Sequence, residues 1–339
     1  MKKFFTPEKC LVIMPDFIGD NVILLSFLEN LKKNMNKNSE LIILSHQNMI
    51  EFFKDFDFID KIFEKKEKTK HPAQFLISNK IDTIIVLDFS IVWSIAAYFA
   101  RIKQRIIPSL LRSGLKNSKF LQKFFTHVIK NTSINAKISQ KDVYLNYLKQ
   151  LGMNIFNKTC SYPEKKTTLH IKKLKPSAFI HTSASFFSKK WPLENWEKVL
   201  EFLNDKFEIT YIGEKNKKEN ILSDKFKLND LRGSLSIKDT LNLLQNADLL
   251  LTTDSAPAHL GALAGTKNII IIYGPTNHIQ WKPDAEKSNI IQIYSELPCR
   301  PCQMRFCRSL ECIRQISPER IINEIKSNKD FFQSLSTYD

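Results

Sequence analysis

Short apolar runs alternate with helix-period stretches from the start of the chain. Residues 10–14 form an unbroken apolar run of strand length, closed by Pro15 and Asp16. From about residue 20 to 35, Val22, Ile23, Leu28 and Leu31 share one helical stripe. Strand-like runs return at 41–44, 83–87 and 105–107, and an apolar helix is predicted over 91–100. This is the strand–helix–strand rhythm of a parallel sheet. A polar stretch at 158–176 interrupts it, with Lys165, Lys166, Lys172, Lys173 and Lys175 between Pro163 and Pro176. The rhythm then restarts, with strands predicted at 178–181, 209–212, 249–252 and 268–273 and helices at 194–203, 237–245 and 256–264. Ser236 with Asp239 approximates a capping box, and Ser317-Pro318-Glu319 supplies an N-cap and a first-turn proline for a last helix. Two doubly wound α/β domains joined by a basic linker follow from this pattern.

Composition narrows the picture. At roughly 150 residues per domain, 339 residues suffice for two cores. With 43% hydrophobic and 25% charged residues, global disorder is excluded. The net charge of +16 is not spread evenly: residues 101–150 carry +10, residues 151–200 carry +6, and the remainder balances to zero. One basic surface facing an anionic partner fits this better than a uniformly basic coat. The N-terminal apolar run is too short for a signal peptide, and 84–100 is broken by Asp88 and Ser90. A cytoplasmic protein is expected, with its six cysteines reduced. Eight glycines and no G-x-G-x-x-G motif argue against a nicotinamide-dependent dehydrogenase.

In doubly wound sheets, ligands bind at the carboxyl ends of the strands. Four loops there carry chemistry. The first, residues 15–21, sets Gly19 and Asp20 at a helix start. The second, 182–192, offers Thr182, Ser183, Lys189 and Lys190, hydroxyls and cations suited to phosphate. The third, Gly213-Glu214, has an acid that can accept from ribose hydroxyls. The fourth, 251–262, ends a strand in Thr252-Thr253-Asp254-Ser255 and opens at once into a helix of small residues with His259 one turn in. Such a helix start is a ready anion site. The turn Tyr273-Gly274-Pro275-Thr276 lies beside it in sequence order.

Gly19-Asp20-Asn21, Lys189-Lys190-Trp191-Pro192, Asp254-Ser255-Ala256-Pro257-Ala258-His259 and Gly274-Pro275-Thr276 together resemble the heptosyltransferases of glycosyltransferase family 9. The resemblance implies the GT-B fold, two Rossmann-like domains facing across a cleft. The N-terminal domain, 1–165, would bind the acceptor and 166–316 the nucleotide sugar, with a C-terminal helix in 317–339 packing back on the N-terminal domain. It further implies inverting transfer of heptose from ADP-heptose to the anionic lipid A–Kdo inner core of lipopolysaccharide, with no metal in the chemistry. Asp20 would be the catalytic base, while Thr182, Ser183, Lys189, Glu214, Asp254, Ser255, His259 and Thr276 would bind the donor. One departure is Ala256-Pro257, where the family most often has glycine and then an apolar residue. Another is Asp16-Phe17-Ile18, where relatives often carry small hydroxyl residues.

The stretch 101–149 holds eleven Lys and Arg against the single acid Asp142. Phe120, Leu121, Phe124, Phe125, Val128 and Ile129 recur within it at helical spacing, beside Lys119, Lys123 and Lys130. These lysines are the candidates for an acceptor and membrane surface at the cytoplasmic face of the inner membrane. No nucleic-acid-binding module accompanies the charge, so no nucleic-acid partner is expected. Cys299, Cys302, Cys307 and Cys312 have spacing that could hold a structural zinc, but they do not form a paired C-x2-C set, and a reduced cluster is the expected state. Two readings compete with the heptosyltransferase. One is a family 9 transferase using another nucleotide sugar; the other is a non-catalytic α/β protein that binds anionic ligands or nucleic acid.

Overall fold

The computed structural model describes residues 7–68, 70–88, 90–109, 124–130, 137–163 and 175–327. The chain divides into two units, Met1–Pro163 and Glu164–Asp339. The first is built on strands β1 (Lys9–Ile13), β2 (Glu40–Ser45), β3 (Lys61–Glu64), β4 (Thr83–Val86), β5 (Gln104–Pro108) and β6 (His127–Ile129), in the order β3-β2-β1-β4-β5-β6. The second uses β7 (Ser177–His181), β8 (Glu208–Tyr211), β9 (Asn229–Asp230), β10 (Leu249–Thr253), β11 (Asn268–Tyr273) and β12 (Asn289–Tyr294), in the order β12-β11-β10-β7-β8-β9. All of these neighbours pair in parallel. Each sheet starts its first strand in the middle, builds outward to one side and then to the other. That is the doubly wound, Rossmann-like order, and it leaves a switch point beside β1 in one sheet and between β7 and β10 in the other.

The continuous apolar runs of the sequence become strands covered on both faces, as parallel sheets require. Leu11, Ile13, Ile42, Leu44, Ile84 and Val86 lie in the first core with Trp93 and Phe75. The second core gathers Ile180, Leu249, Leu251, Ile270 and Ile272 against Trp191 and Trp196, whose rings meet edge to face at 5.2 Å. The helix predicted over 20–35 is two helices, Ile18–Ile23 and Leu25–Asn34. Ser236 and Asp239 form the capping box reciprocally. No helix among the described residues is long and apolar enough to cross a membrane.

The described part of the C-terminal helix, Pro318–Ser327, buries Ile321 and Ile325 in the second core. Its i, i+4 apolar stripe packs on the helix Leu193–Leu203 of the same unit. Residues 328–339 lie outside the described residues.

The first unit is closed by its own last segment. Asn30, fully buried, donates to the carbonyls of Ser26 (2.7 Å) and Asn157 (2.6 Å) and accepts from the amides of Phe156 (2.6 Å) and Asn157 (3.1 Å). Tyr162 adds a hydrogen bond to Asp55 and stacks on Phe52. Asn30→Ala strands three of these backbone groups and is expected to cost about 2–3 kcal/mol, read as a lower urea midpoint for the first unit.

Candidate functional site

The crest of the second sheet is where the switch point and the polar loops coincide. Strand β10 is buried throughout and ends at Thr253, and Ser255 then caps the helix Ala256–Ala264 with no side-chain hydrogen bond to its first turn. A ligand oxygen can therefore meet those N–H groups and the positive helix end. The helix lies close on the sheet because position 261 is glycine. A Cβ there would stand 2.6 Å from the Leu250 side chain.

Asp254 organises this crest. Its Oδ2 accepts from Thr276 Oγ1 at 2.5 Å and pairs with Lys189 Nζ at 2.9 Å, and the same ammonium reaches the Asp254 carbonyl at 3.1 Å. The pair is largely shielded, with side chains 13% and 5% exposed. A carboxylate so placed needs its cation, and in return it holds the ammonium at the mouth of the helix. Three of the predicted donor residues are thus joined directly, from the ends of three different strands.

The other predicted donor residues occupy different positions. Thr182 and Ser183 turn their hydroxyls to Glu219, donating at 2.7 and 3.0 Å, and Tyr211 donates to the same carboxylate at 3.1 Å. Glu219 is buried, with the guanidinium of Arg232 4.0 Å away and stacked over the Tyr211 ring. This hub was missed in the sequence, where Glu214 was the acid singled out. Glu214 is exposed in the turn, five positions earlier. The glycine before it has a sharper role: at φ +114°, an added Cβ at Gly213 would stand 2.5 Å from the His181 ring. Ser255 is tied to that ring as well, its Oγ lying 3.2 Å from His181 Nδ1 and 3.2 Å from Thr252 Oγ1.

His259 is buried on the helix, within the fields of Asp254 and Lys189. Burial pulls its pKa down to about 4, against the raising effect of Asp254 and with the lowering effect of Lys189. His181 is likewise held neutral by burial, at about 4, with Glu219 opposing. Both rings are neutral donors or acceptors at physiological pH.

In the first unit, Asp20 sits in the first turn of the helix Ile18–Ile23, at the switch point after β1. Phe17 is the N-cap residue, so Asp20 is not a cap. It lies near enough to Tyr144 that its charge adds to burial in holding that hydroxyl well above its ordinary pKa. The loop before Asp20 is pinned from two sides. Asn21 donates to the carbonyls of Pro15 (2.8 Å) and Phe17 (2.7 Å). Lys65, at the end of β3, bridges Asp16 (2.6 Å) and the buried Asp88 (2.7 Å), and His46 adds a contact to Asp16 at 3.1 Å. Burial pushes Asp88 above the usual carboxylate range despite Lys65. Asp16 is held below it by Lys65 and His46, which outweigh its own burial. Lys65 does not stand out in the sequence because β3 is too short and polar to read as a strand, and Asp88 shows there only as a break in an apolar stretch.

Lys130 is exposed, its backbone paired with the Gln150 side chain at 2.9 and 3.0 Å. Lys119 and Lys123 lie outside the described residues. None of the cysteines forms a disulfide; Cys299 and Cys302 are exposed and Cys312 is buried. Among the described residues, no group of three or more His, Cys, Asp or Glu side chains is arranged to hold a metal ion.

Two doubly wound sheets, with a lysine, a carboxylate and an open helix end assembled at the crest of the second, define a GT-B type α/β protein. The profile of glycosyltransferase family 9 (heptosyltransferase) matches residues 79–313, and the chain belongs to that family of enzymes. It is 23% identical over 333 residues to lipooligosaccharide heptosyltransferase 2 of Campylobacter jejuni, covering 94% of this chain and 98% of the relative. Among solved structures it is similar to E. coli ADP-heptose lps heptosyltransferase II, with a TM-score of 0.71, 15% identity and coverage of 96% and 99% of the two chains. It is also similar to E. coli heptosyltransferase WaaC with ADP, with a TM-score of 0.69, 13% identity and coverage of 94% and 99%.

The two neutral histidines give a signed pH dependence. The unfolded chain takes up a proton on His259 near pH 6.5, whereas the folded chain does so only near 4. The stability this residue contributes is therefore complete above about pH 6.5 and lost as pH falls towards about 4, at roughly 1.4 kcal/mol per pH unit. Urea unfolding of the protein and of His259→Gln across that range is expected to show a shallower acid-side slope for the variant.

Proposed function

We propose that the protein transfers heptose from ADP-heptose, with inversion, to an anionic inner-core acceptor of lipopolysaccharide or lipooligosaccharide. The observation that carries this is the assembly of Lys189, Asp254 and Thr276 at the open N-terminus of the helix Ala256–Ala264. Membership of family 9 and the likeness to lipooligosaccharide and lps heptosyltransferases support the same reading.

An inverting transfer is an in-line displacement at the anomeric carbon. It needs a base for the acceptor hydroxyl on one face and stabilisation of the departing diphosphate on the other. The helix end and the Lys189 ammonium meet the growing negative charge of ADP, acting as fixed dipoles and a cation already in place before the reaction. Asp254 does not face the phosphates as a free anion, because Lys189 and Thr276 occupy its Oδ2. Its part is to aim the lysine. His259, uncharged, contributes a hydrogen bond and no net charge. Thr182 and Ser183 shape the donor loop through Glu219, and Ser255 does the same through His181. Glu214, exposed at the end of β8, is the acid for the ribose hydroxyls.

Asp20 is the general base. It stands at the first unit's switch point, in a helix turn whose preceding loop is braced by Asn21 and by the Lys65 bridge. A positioned base supplies typically ~10²–10⁴-fold in rate. The basic segment around Lys119, Lys123 and Lys130 is assigned to the anionic acceptor and to peripheral contact with the inner membrane. The donor needs no metal in this scheme, since the cation and the dipole are both supplied by the chain.

Two measurements test the reading. Thermal shift against ADP-, UDP-, GDP- and CMP-linked sugars is expected to respond to ADP-heptose. A response only to another nucleotide would replace the donor, and silence across the panel would remove the transferase reading. Asp20→Asn is expected to keep ADP affinity while losing about 10²–10⁴-fold in turnover. Unchanged kcat would take the base role away from Asp20.

A further inference from the structure

The loop that carries the four cysteines has no part in the scheme above, yet it touches both turns of the donor crest. Arg300 lies between Cys299 and Cys302. Its Nε donates to the Gly274 carbonyl at 2.6 Å, Nη2 to the Thr276 carbonyl at 3.0 Å and Nη1 to the Ser295 carbonyl at 2.7 Å. The Gln303 amide adds a bond to the Pro275 carbonyl at 3.0 Å. The turn that presents Thr276 is thus held on every carbonyl by one loop. The same loop grips the Lys189 turn, where the Met304 carbonyl accepts from Ser188 Oγ at 2.5 Å and the Arg305 carbonyl accepts from the Ser188 amide at 3.3 Å. The two turns also touch each other. A Cβ on Gly274 would lie 2.7 Å from the Ser188 carbonyl, so only glycine lets them approach this closely.

We infer that Arg300 is a positioning residue for the donor diphosphate, and that the loop 299–307 is the brace that keeps Lys189, Asp254 and Thr276 in register. The inference rests on the proposed donor site. Arg300 acts through the backbone: anchored on the Ser295 carbonyl, it holds the Gly274 and Thr276 carbonyls and so fixes the 274–276 turn, and Thr276 then meets the Asp254 oxygen that Lys189 also contacts. The planar guanidinium fork suits this task and an ammonium does not, since a lysine offers a point charge in place of a rigid set of diverging donors. The guanidinium also lies over the Tyr294 ring, its carbon 5.2 Å from the centroid, which holds its plane. Ser188 does the matching task on the Lys189 side. The cysteines are the flanks of this brace and supply none of its hydrogen bonds to the two turns.

The test is ADP affinity by calorimetry on the full chain, with thermal unfolding recorded for each variant. Arg300→Lys keeps the charge and removes the fork; it is expected to weaken ADP on the order of tenfold, the scale of one hydrogen bond to a charged group. Ser188→Ala is expected to weaken it less. The double variant is expected to depart from additivity, because both residues serve one brace. Arg105→Lys, which alters comparable arginine-to-carbonyl bonds to Phe124 and Ile102 in the first unit, is the control and is expected to leave ADP binding unchanged. ADP affinity equal to wild type in Arg300→Lys overturns the inference, as does an equal loss in Arg105→Lys. Should Arg300→Lys fail to fold, Ser188→Ala carries the test, and unchanged ADP affinity there overturns it. If the wild-type protein binds no ADP, it is the donor reading that fails.

Discussion

A carboxylate shut away at the end of a strand has to be answered where it stands, and Asp254 is answered by Lys189 and Thr276. The crest of the second sheet follows from that requirement. The lysine comes from the turn after β7, the threonine from the turn after β11, and the aspartate from the end of β10, so neutralising one charge draws three strand ends together. Breaking such a pair by removing one partner is costly because the other is left buried and uncompensated. The arrangement is therefore kept in its geometry whether or not a ligand is present. A site of this kind need not be assembled by its substrate, and the energy of binding can go towards the reaction itself.

The first unit solves a similar problem with different residues. Asp88, buried at the crest beyond β4, is answered by Lys65, and the same ammonium takes hold of Asp16 on the loop before Asp20. In both sheets a lysine and a buried aspartate sit at the switch point, and in both the pair steadies a loop. The pairing differs in one respect. Lys65 is shared between a buried carboxylate and an exposed one, while Lys189 is committed to a single aspartate with a threonine beside it. The first arrangement fixes a loop and the second presents a cation.

The sheets and the helix Ala256–Ala264 were legible because parallel strands buried on both faces read as continuous apolar runs, as at 10–14, 249–252 and 268–273. Short edge strands carry no such pattern. Lys61–Glu64 and Asn229–Asp230 are polar or only two residues long, and they pair because their neighbours are already in place. The meeting of Lys189, Asp254 and Thr276 at the candidate site was legible because each lies on a loop that follows a clear strand. The site was not legible where a residue acts through a long-range partner. Glu219 is an ordinary acid until Thr182, Ser183 and Tyr211 turn towards it, and Arg300 reads as one more basic residue among cysteines until its donors are traced to three carbonyls. Nor does chain order reveal that Thr182 and Ser183 donate to a buried acid.

The clasp that closes the first unit has a consequence for synthesis. Asn30 and Asn34 sit in the helix Leu25–Asn34, near the start of the chain, yet their partners are at 154–157, and Tyr162 seats on Phe52 from still later. During translation the early helix therefore leaves the ribosome long before the segment that satisfies it. Its buried amides stay open to water, and to wrong partners, until the whole unit has been made. The N-terminal half must wait on its own last residues, whereas the second unit begins only after that wait is over.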